Sequence, residues 1–220
     1  MIVIDVETTG LNAKYHSLLS IGAVDLDKPW RQFGIDCRIR ECAKVDLAAL
    51  AVNGYTQERL RESLFSDKEA LLLYLNWEQW SDDKTLAGEN PARIDLQFMQ
   101  ETADIYHLPV DFGRRTIDLH TAVYLDHIRR GIKPPLKDAR SVCNSDYSMT
   151  YVGLPNEPKP HTYGLTGAQY EAEAFSRLLY ARGLFEEFAA HPLPEYLKKA
   201  SSTVVRLYRK ILPSERVVMT

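Results

Sequence analysis

MIVIDVETTG, residues 1–10, opens the chain and decides how the rest is read. Ile2, Val3 and Ile4 are apolar, Val6 is apolar again, and Asp5 and Glu7 interrupt the run. The composition predicts a buried strand over 2–6. Residues i and i+2 of a strand point to the same face, so the two carboxylates stand side by side, roughly 6–7 Å apart. Two like charges at the end of a buried strand repel one another and resist desolvation. A divalent cation between them removes both costs, and carboxylate oxygens suit Mg²⁺ or Mn²⁺. The plain alternative is an edge strand whose acids face water. Thr8, Thr9 and Gly10 then imply a tight exit from the strand, with something approaching the backbone closely.

Beyond this strand, LLSIGAVDL (18–26) and FGIDCRI (33–39) read as two further strands around a turn at Lys28-Pro29. Gly22 marks a bulge or a close approach. A helix over 47–55 stops at Asn53-Gly54, and TQERLRESL continues helically with Thr56 as its cap. Helices are expected over 68–80, 94–107, 120–131 and 165–185, with short strands at 85–89 and 115–119. Ala168, Ala172, Phe175 and Leu179 recur at helical spacing and predict the buried stripe of the last helix. Residues 132–163, rich in Pro, Asn, Ser and Asp, read as a long irregular connection with one short helix, a mobile rim. Strands followed by alternating strands and helices predict an α/β domain with a mixed central sheet flanked by helices.

The chain has 220 residues and a net charge of −3, which disfavours holding nucleic acid by bulk positive charge. Bound divalent ions can supply the missing charge locally. Three cysteines without metal-ligand spacing predict a reduced, cytoplasmic setting. No apolar run approaches the roughly 18 residues of a membrane span, and no basic flank precedes the first strand, so neither a membrane partner nor a signal peptide is expected.

DVETTG resembles the first motif of the DEDD superfamily of 3′→5′ exonucleases, the RNase H-like group to which the proofreading subunit of bacterial DNA polymerase III belongs. LAGENPARIDLQFM (86–99) resembles the second motif, with Asn90 in place, Ile94 where Phe is usual, and Asp95 as the acid. TIDLHTAVYL (116–125) and ALAVNGYTQERL (49–60) resemble other family segments. Asp118 reads as the cap of the helix that follows it. The likeness covers about residues 1–185 and leaves 186–220 as a C-terminal helical extension. It implies a two-metal hydrolase, using Mg²⁺ or Mn²⁺, that acts on 3′ ends of single-stranded DNA or RNA. It assigns Asp5, Glu7 and Asp95 to the metals, Thr8, Thr9, Gly10 and Leu11 to the terminal nucleotide, and Asn90 to the substrate.

The third motif departs from the family. His161 and Tyr163 precede the last helix, and either can activate or orient water; His161 is preferred because an imidazole is the side chain suited to accept a proton from metal-bound water. Gly167, Ala168, Glu173 and Phe175 resemble the family's last helix from its aspartate onward, and the resemblance puts Gly167 at the fourth carboxylate position. Two readings follow: an impaired or inactive, binding-only member, or a site in which Glu171, one turn further on, has taken over. Basic groups at Arg129, Arg130, Lys133, Lys137 and Arg140, and at Lys198, Lys199, Arg206, Arg209 and Lys210, are candidates for phosphate contact.

Overall fold

A computed structural model describes residues 1–198. Its centre is a six-stranded sheet in the order β4-β3-β2-β1-β5-β6. The strands are β1 (Ile2–Thr8), β2 (Leu18–Asp25), β3 (Gln32–Arg38), β4 (Phe65–Ser66), β5 (Leu86–Gly88) and β6 (Thr116–Asp118). β1, β2 and β3 form an antiparallel meander, and β5 and β6 add parallel to β1, so the sheet is mixed as expected. The helices are α1 (Leu47–Asn53), α2 (Arg59–Glu62), α3 (Asp67–Glu78), α4 (Asp95–Ile105), α5 (Leu119–Arg129), α6 (Ser145–Tyr151) and α7 (Gly164–Tyr180).

The period of two in β1 sorts its side chains between two cores. Ile2, Ile4 and Val6 join the cluster under α3 and α4, with Tyr74, Phe98 and Met99. Val3 joins the opposite cluster, with Ala168, Ala172 and Phe175 of α7. Asp5 and Glu7 therefore share the α7 face. α7 crosses β2 at Gly22, where a Cβ would stand 2.0 Å from the Gly164 carbonyl carbon. The close approach expected at Gly22 is thus a helix-to-sheet crossing rather than a bulge. At the end of α1, Gly54 takes φ 69° and donates its N–H to the Leu50 carbonyl, the stop that Asn53-Gly54 predicts.

Several expectations are corrected. The buried stripe of α7 runs through Leu178, whereas Leu179 is 39% exposed. At a period of 3.6 the two positions compete for one face, and Leu179 turns toward Leu125 at the open edge of the sheet. α7 also ends at Tyr180, short of the predicted 185, with Ala181 at φ 51°. Residues 132–163 are not a loose rim throughout. A two-stranded hairpin, β7 (Leu136–Lys137) and β8 (Arg140–Ser141), precedes α6, and Cys143, Met149, Val152 and Leu154 are buried in the α7 core. Past 185, Phe188 and Leu197 pack into that same core. Arg177 is sequestered beneath this segment, paired with Glu173 at 2.6 Å and donating to the carbonyls of Val152, Gly153, Phe188 and His191. The rest of the expected extension, with Lys199, Arg206, Arg209 and Lys210, lies outside the described residues. Among the described residues, no helix is long and apolar enough to cross a membrane.

Candidate active site

Asp5 and Glu7 sit at the carboxyl end of the central strand, where β1 loses its neighbour. β5 pairs only with Ile2 and Val3, so the upper part of β1 is open on that side. The Val6 N–H there is taken by Asp95, the first residue of α4, at 2.9 Å. Asp95 does not cap its helix; it reaches around the open edge to β1. α7 closes the cluster from above. Glu171 is buried, and its Oε2 accepts the Glu89 N–H at 3.1 Å, spanning the gap between α7 and the end of β5.

The four acids come from three separate elements into one poorly solvated place. Burial, then repulsion by Glu7, Glu171, Asp95 and Glu157, holds the Asp5 carboxyl well above the usual range. Burial, with the Glu157 and Asp95 charges, pushes Glu7 up to about 8, against an Asn53 hydrogen bond and the Arg59 charge. Burial pushes Asp95 up to about 7, opposed by backbone N–H donors. Glu171 is raised by burial and by Asp95 and Glu89. The donor chemistry fits a divalent cation: all-oxygen, mutually repelling carboxylates, Asp95 and Glu171 buried and Asp5 and Glu7 half-buried. Among the described residues, however, no three His, Cys, Asp or Glu side chains are arranged to hold a metal ion as they stand. Asp95 and Glu171 each spend an oxygen on a backbone N–H.

These shifts carry a sign. A carboxyl raised in the folded state keeps a proton that the unfolded chain has released, so stability is full below the ordinary pKa and falls as pH rises toward the folded value. The melting temperature of the metal-free protein is expected to fall between pH 5 and pH 8, the span set by Glu7 and Asp95. Thermal melts in chelator check this, and a flat or rising profile over that span contradicts the clustering.

Around the acids, the expected turn residues have internal duties. Thr8 Oγ1 donates to the Gly10 carbonyl, Thr9 Oγ1 donates to the Lys44 carbonyl, and the Ser17 N–H donates to Thr9 Oγ1. Leu11, by contrast, is 72% exposed at the lip. Asn90 is exposed at φ 56°, its N–H held by Asp118. Asp118 caps α5 as expected, accepting the Thr121 N–H at 2.9 Å.

The third-motif residues separate. The Tyr163 hydroxyl lies over Gly34 of β3, two strands away from β1, so Tyr163 is not brought to the acids. His161 meets them through an intermediary, its Nδ1 lying 2.8 Å from Glu157 Oε2. Gly167 packs directly on Asp5, and a Cβ there would stand 2.2 Å from Asp5 Oδ2. Arg129 and Arg130 both pair with Asp126, Arg130 largely buried and Arg129 half-exposed.

Three neighbours escape sequence reasoning. Asn53 donates to the Thr8 carbonyl at 2.9 Å beside Glu7. Arg59 stacks 3.9 Å above the Tyr55 ring centroid and binds Asp36 and the Thr162 carbonyl. Glu157 is the third, and its only sequence signal is an acid four residues before His161.

A mixed sheet with carboxylates gathered at the end of its central strand, under a final helix, defines an acid-lined hydrolase of RNase H-like fold. The solved structure of Escherichia coli exonuclease I with a dA16 oligonucleotide shares this fold at TM-score 0.64 and 14% identity, over 82% of this chain and 40% of that one. The nuclease domain of 3′hExo, a DEDDh family member bound to rAMP, matches at TM-score 0.63 and 16% identity, over 81% of this chain and 90% of its own. The chain therefore spans well under half of exonuclease I and nearly all of the 3′hExo domain. By sequence, the 3′-5′ DNA exonuclease Cap18 of Escherichia coli is 26% identical over 182 residues, 78% of this chain and 87% of that protein. Residues 2–129 match the RNase T exonuclease family, and the chain belongs to it.

Proposed function

We propose that this exonuclease is divalent-metal-dependent, works 3′→5′, and removes nucleotides from single-stranded DNA or RNA ends in the cytoplasm. The observation that carries this reading is the meeting of half-buried Asp5 and Glu7 of β1 with buried Asp95 of α4 and Glu171 of α7 in one cluster of mutually repelling acids, with Leu11 exposed after β1. Asp5, Glu7 and Asp95 are the carboxylates assigned to hold Mg²⁺ or Mn²⁺. Bound there, the ions would supply positive charge and Lewis acidity at the scissile phosphate.

The chain's own groups do the remaining work. The Thr8 and Thr9 hydroxyls brace the turn that carries Leu11, which packs against the terminal base and favours a splayed, single-stranded end. Asn90, exposed just past the end of β5, is assigned to the substrate strand. His161 is the candidate to accept a proton from the attacking water. With its Nδ1–H donated to Glu157, Nε2 is left as the accepting nitrogen. Tyr163 is given no part in this reading, its hydroxyl lying over Gly34 of β3. The relatives' DNA-directed name and oligonucleotide-bound structures support single strands as the substrate class.

A second reading, a member that binds ends without cutting them, draws on one feature, the glycine at 167. Incubation with 3′- and 5′-labelled DNA and RNA, with Mg²⁺, with Mn²⁺ and with chelator, separates the two. Mononucleotides released first from 3′ ends, only with metal, are the expected result. Oligonucleotide binding with no hydrolysis under either metal would establish the binding-only reading instead.

A further inference from the structure

At the carboxyl end of a parallel strand the chain turns away and leaves space, and ligands of α/β sheets collect there. β1, β5 and β6 run parallel, so the ends of β5 and β6 open on the same side as Asp5 and Glu7. Beyond β5 and β6 lies a cavity of about 470 Å³ whose polar lining is Glu89, Asn90, Asp118, His120, Ser141 and Asn144. It adjoins the acid cluster, because Glu89 donates its N–H to Glu171 and Asn90 donates its N–H to Asp118 at 2.8 Å. Its outer wall is the β7–β8 hairpin, tied to α5 by the 2.9 Å contact between His120 Nε2 and Ser141 Oγ.

The lining sorts the possible occupants. Two acids, Glu89 and Asp118, line the cavity, and no Lys or Arg is among its described lining residues, so a phosphodiester is repelled. Glu89 Oε2 is enclosed with no hydrogen-bond partner, and such an acceptor is costly until a donor meets it. A phosphodiester has no donor to offer, whereas every nucleobase carries an N–H group on its edge. Asn144 Oδ1 accepts the Tyr147 N–H as the cap of α6, which leaves the Asn144 Nδ2 hydrogens for a base carbonyl or ring nitrogen.

We infer that this pocket seats the base of an upstream nucleotide, one on the 5′ side of the bond being cut, with Ser141 and Asn144 among its contacts. The inference rests on the reading above, in which the 3′ end lies against the turn that carries Leu11. Binding tests it without turnover. Fluorescence anisotropy follows a short 5′-labelled oligodeoxynucleotide on the full-length protein in chelator, with one abasic site walked back from the 3′ end. An abasic residue keeps its sugar and phosphate, so a loss reports the base alone. An abasic site at one internal position is expected to weaken wild-type binding about 10-fold, the scale of one lost base contact. Ser141→Leu, which fills the pocket, is expected to bind the intact strand about 10-fold more weakly and to be indifferent to that abasic site. Asn144→Asp keeps a helix cap but removes the donors, and is expected to lose part of the same discrimination. Circular dichroism verifies that both variants fold, and flattening of the internal dip in either one supports the inference. A wild-type profile with no internal dip, a dip that survives unchanged in both variants, or no wild-type binding at all overturns it. The labelled-end assay judges the exonuclease reading separately from each of these results.

Discussion

Asp5→Asn is expected to lower the hydrolytic rate about 100- to 1000-fold while raising the melting temperature of the metal-free protein. The rate loss has the size seen when one preorganised electrostatic group is removed from an active site. The gain in stability has the opposite cause. Asp5 is half-buried, poorly solvated and repelled by Glu7, Glu171, Asp95 and Glu157, so in the absence of a cation its charge opposes folding. Asparagine keeps the shape and removes the charge. A gain of about 1 kcal/mol shifts the melting temperature by roughly 2–4 °C in a domain of this size. Activity and thermal melts of one preparation provide the check. A variant that loses activity and stability together would make Asp5 a structural residue rather than a member of a strained acid cluster.

Gly167→Ala is expected to cost activity about 100-fold, the scale of a reacting group displaced by about 1 Å. By helix propensity the change is favourable, since glycine in a helix interior is about 1 kcal/mol worse than alanine. The new Cβ, however, would stand 2.2 Å from Asp5 Oδ2 and 2.8 Å from Asp5 Cγ. The carboxylate has to swing away, and with it the first donor of the site. Gly167→Asp brings the same Cβ and one more acid to a place already crowded with them, so it is expected to lower the rate as well. Single-turnover assays of the two variants against wild type measure this. A rate that rises in Gly167→Asp would show that Asp5 has room to retreat and that position 167 was a simple gap.

The metal-free pH profile, the labelled-end assay and the abasic-site scan complete the set, and each reads a different layer. The pH profile reports the clustering of charges, the assay reports the chemistry, and the scan reports where the strand's bases sit. Only the assay depends on turnover. A silent assay with a falling pH profile therefore still describes the acid cluster.

Local pattern carried much of the fold. The two-residue period of β1 puts Asp5 and Glu7 on one face whatever surrounds them, because alternation is a property of the extended backbone. Asn53-Gly54 stops α1 and Asp118 caps α5 for equally local reasons, a left-handed turn and a carboxylate within reach of the first free N–H groups. Short elements escaped notice. β4, β7 and β8 have two residues each, too few to show a period, and exist only because a neighbour pairs with them. The burial of 143–154 was hidden by a composition that reads as loop.

The sequence by itself determined the mixed α/β architecture, the paired acids of the first strand, the Asp95 position and the irregularity at Gly167. Each of these follows from spacings of a few residues or from a motif. Only the tertiary structure decided which third-motif residues reach the site. Tyr163 turns to Gly34, His161 binds Glu157, and Gly167 presses on Asp5 from the other end of the domain's sequence. The physical reason is that side-chain direction at the start of α7 is set by the depth to which the helix settles on β2. That depth depends on two glycines, Gly22 and Gly164, which lie far apart in the sequence and whose missing side chains let the backbones touch.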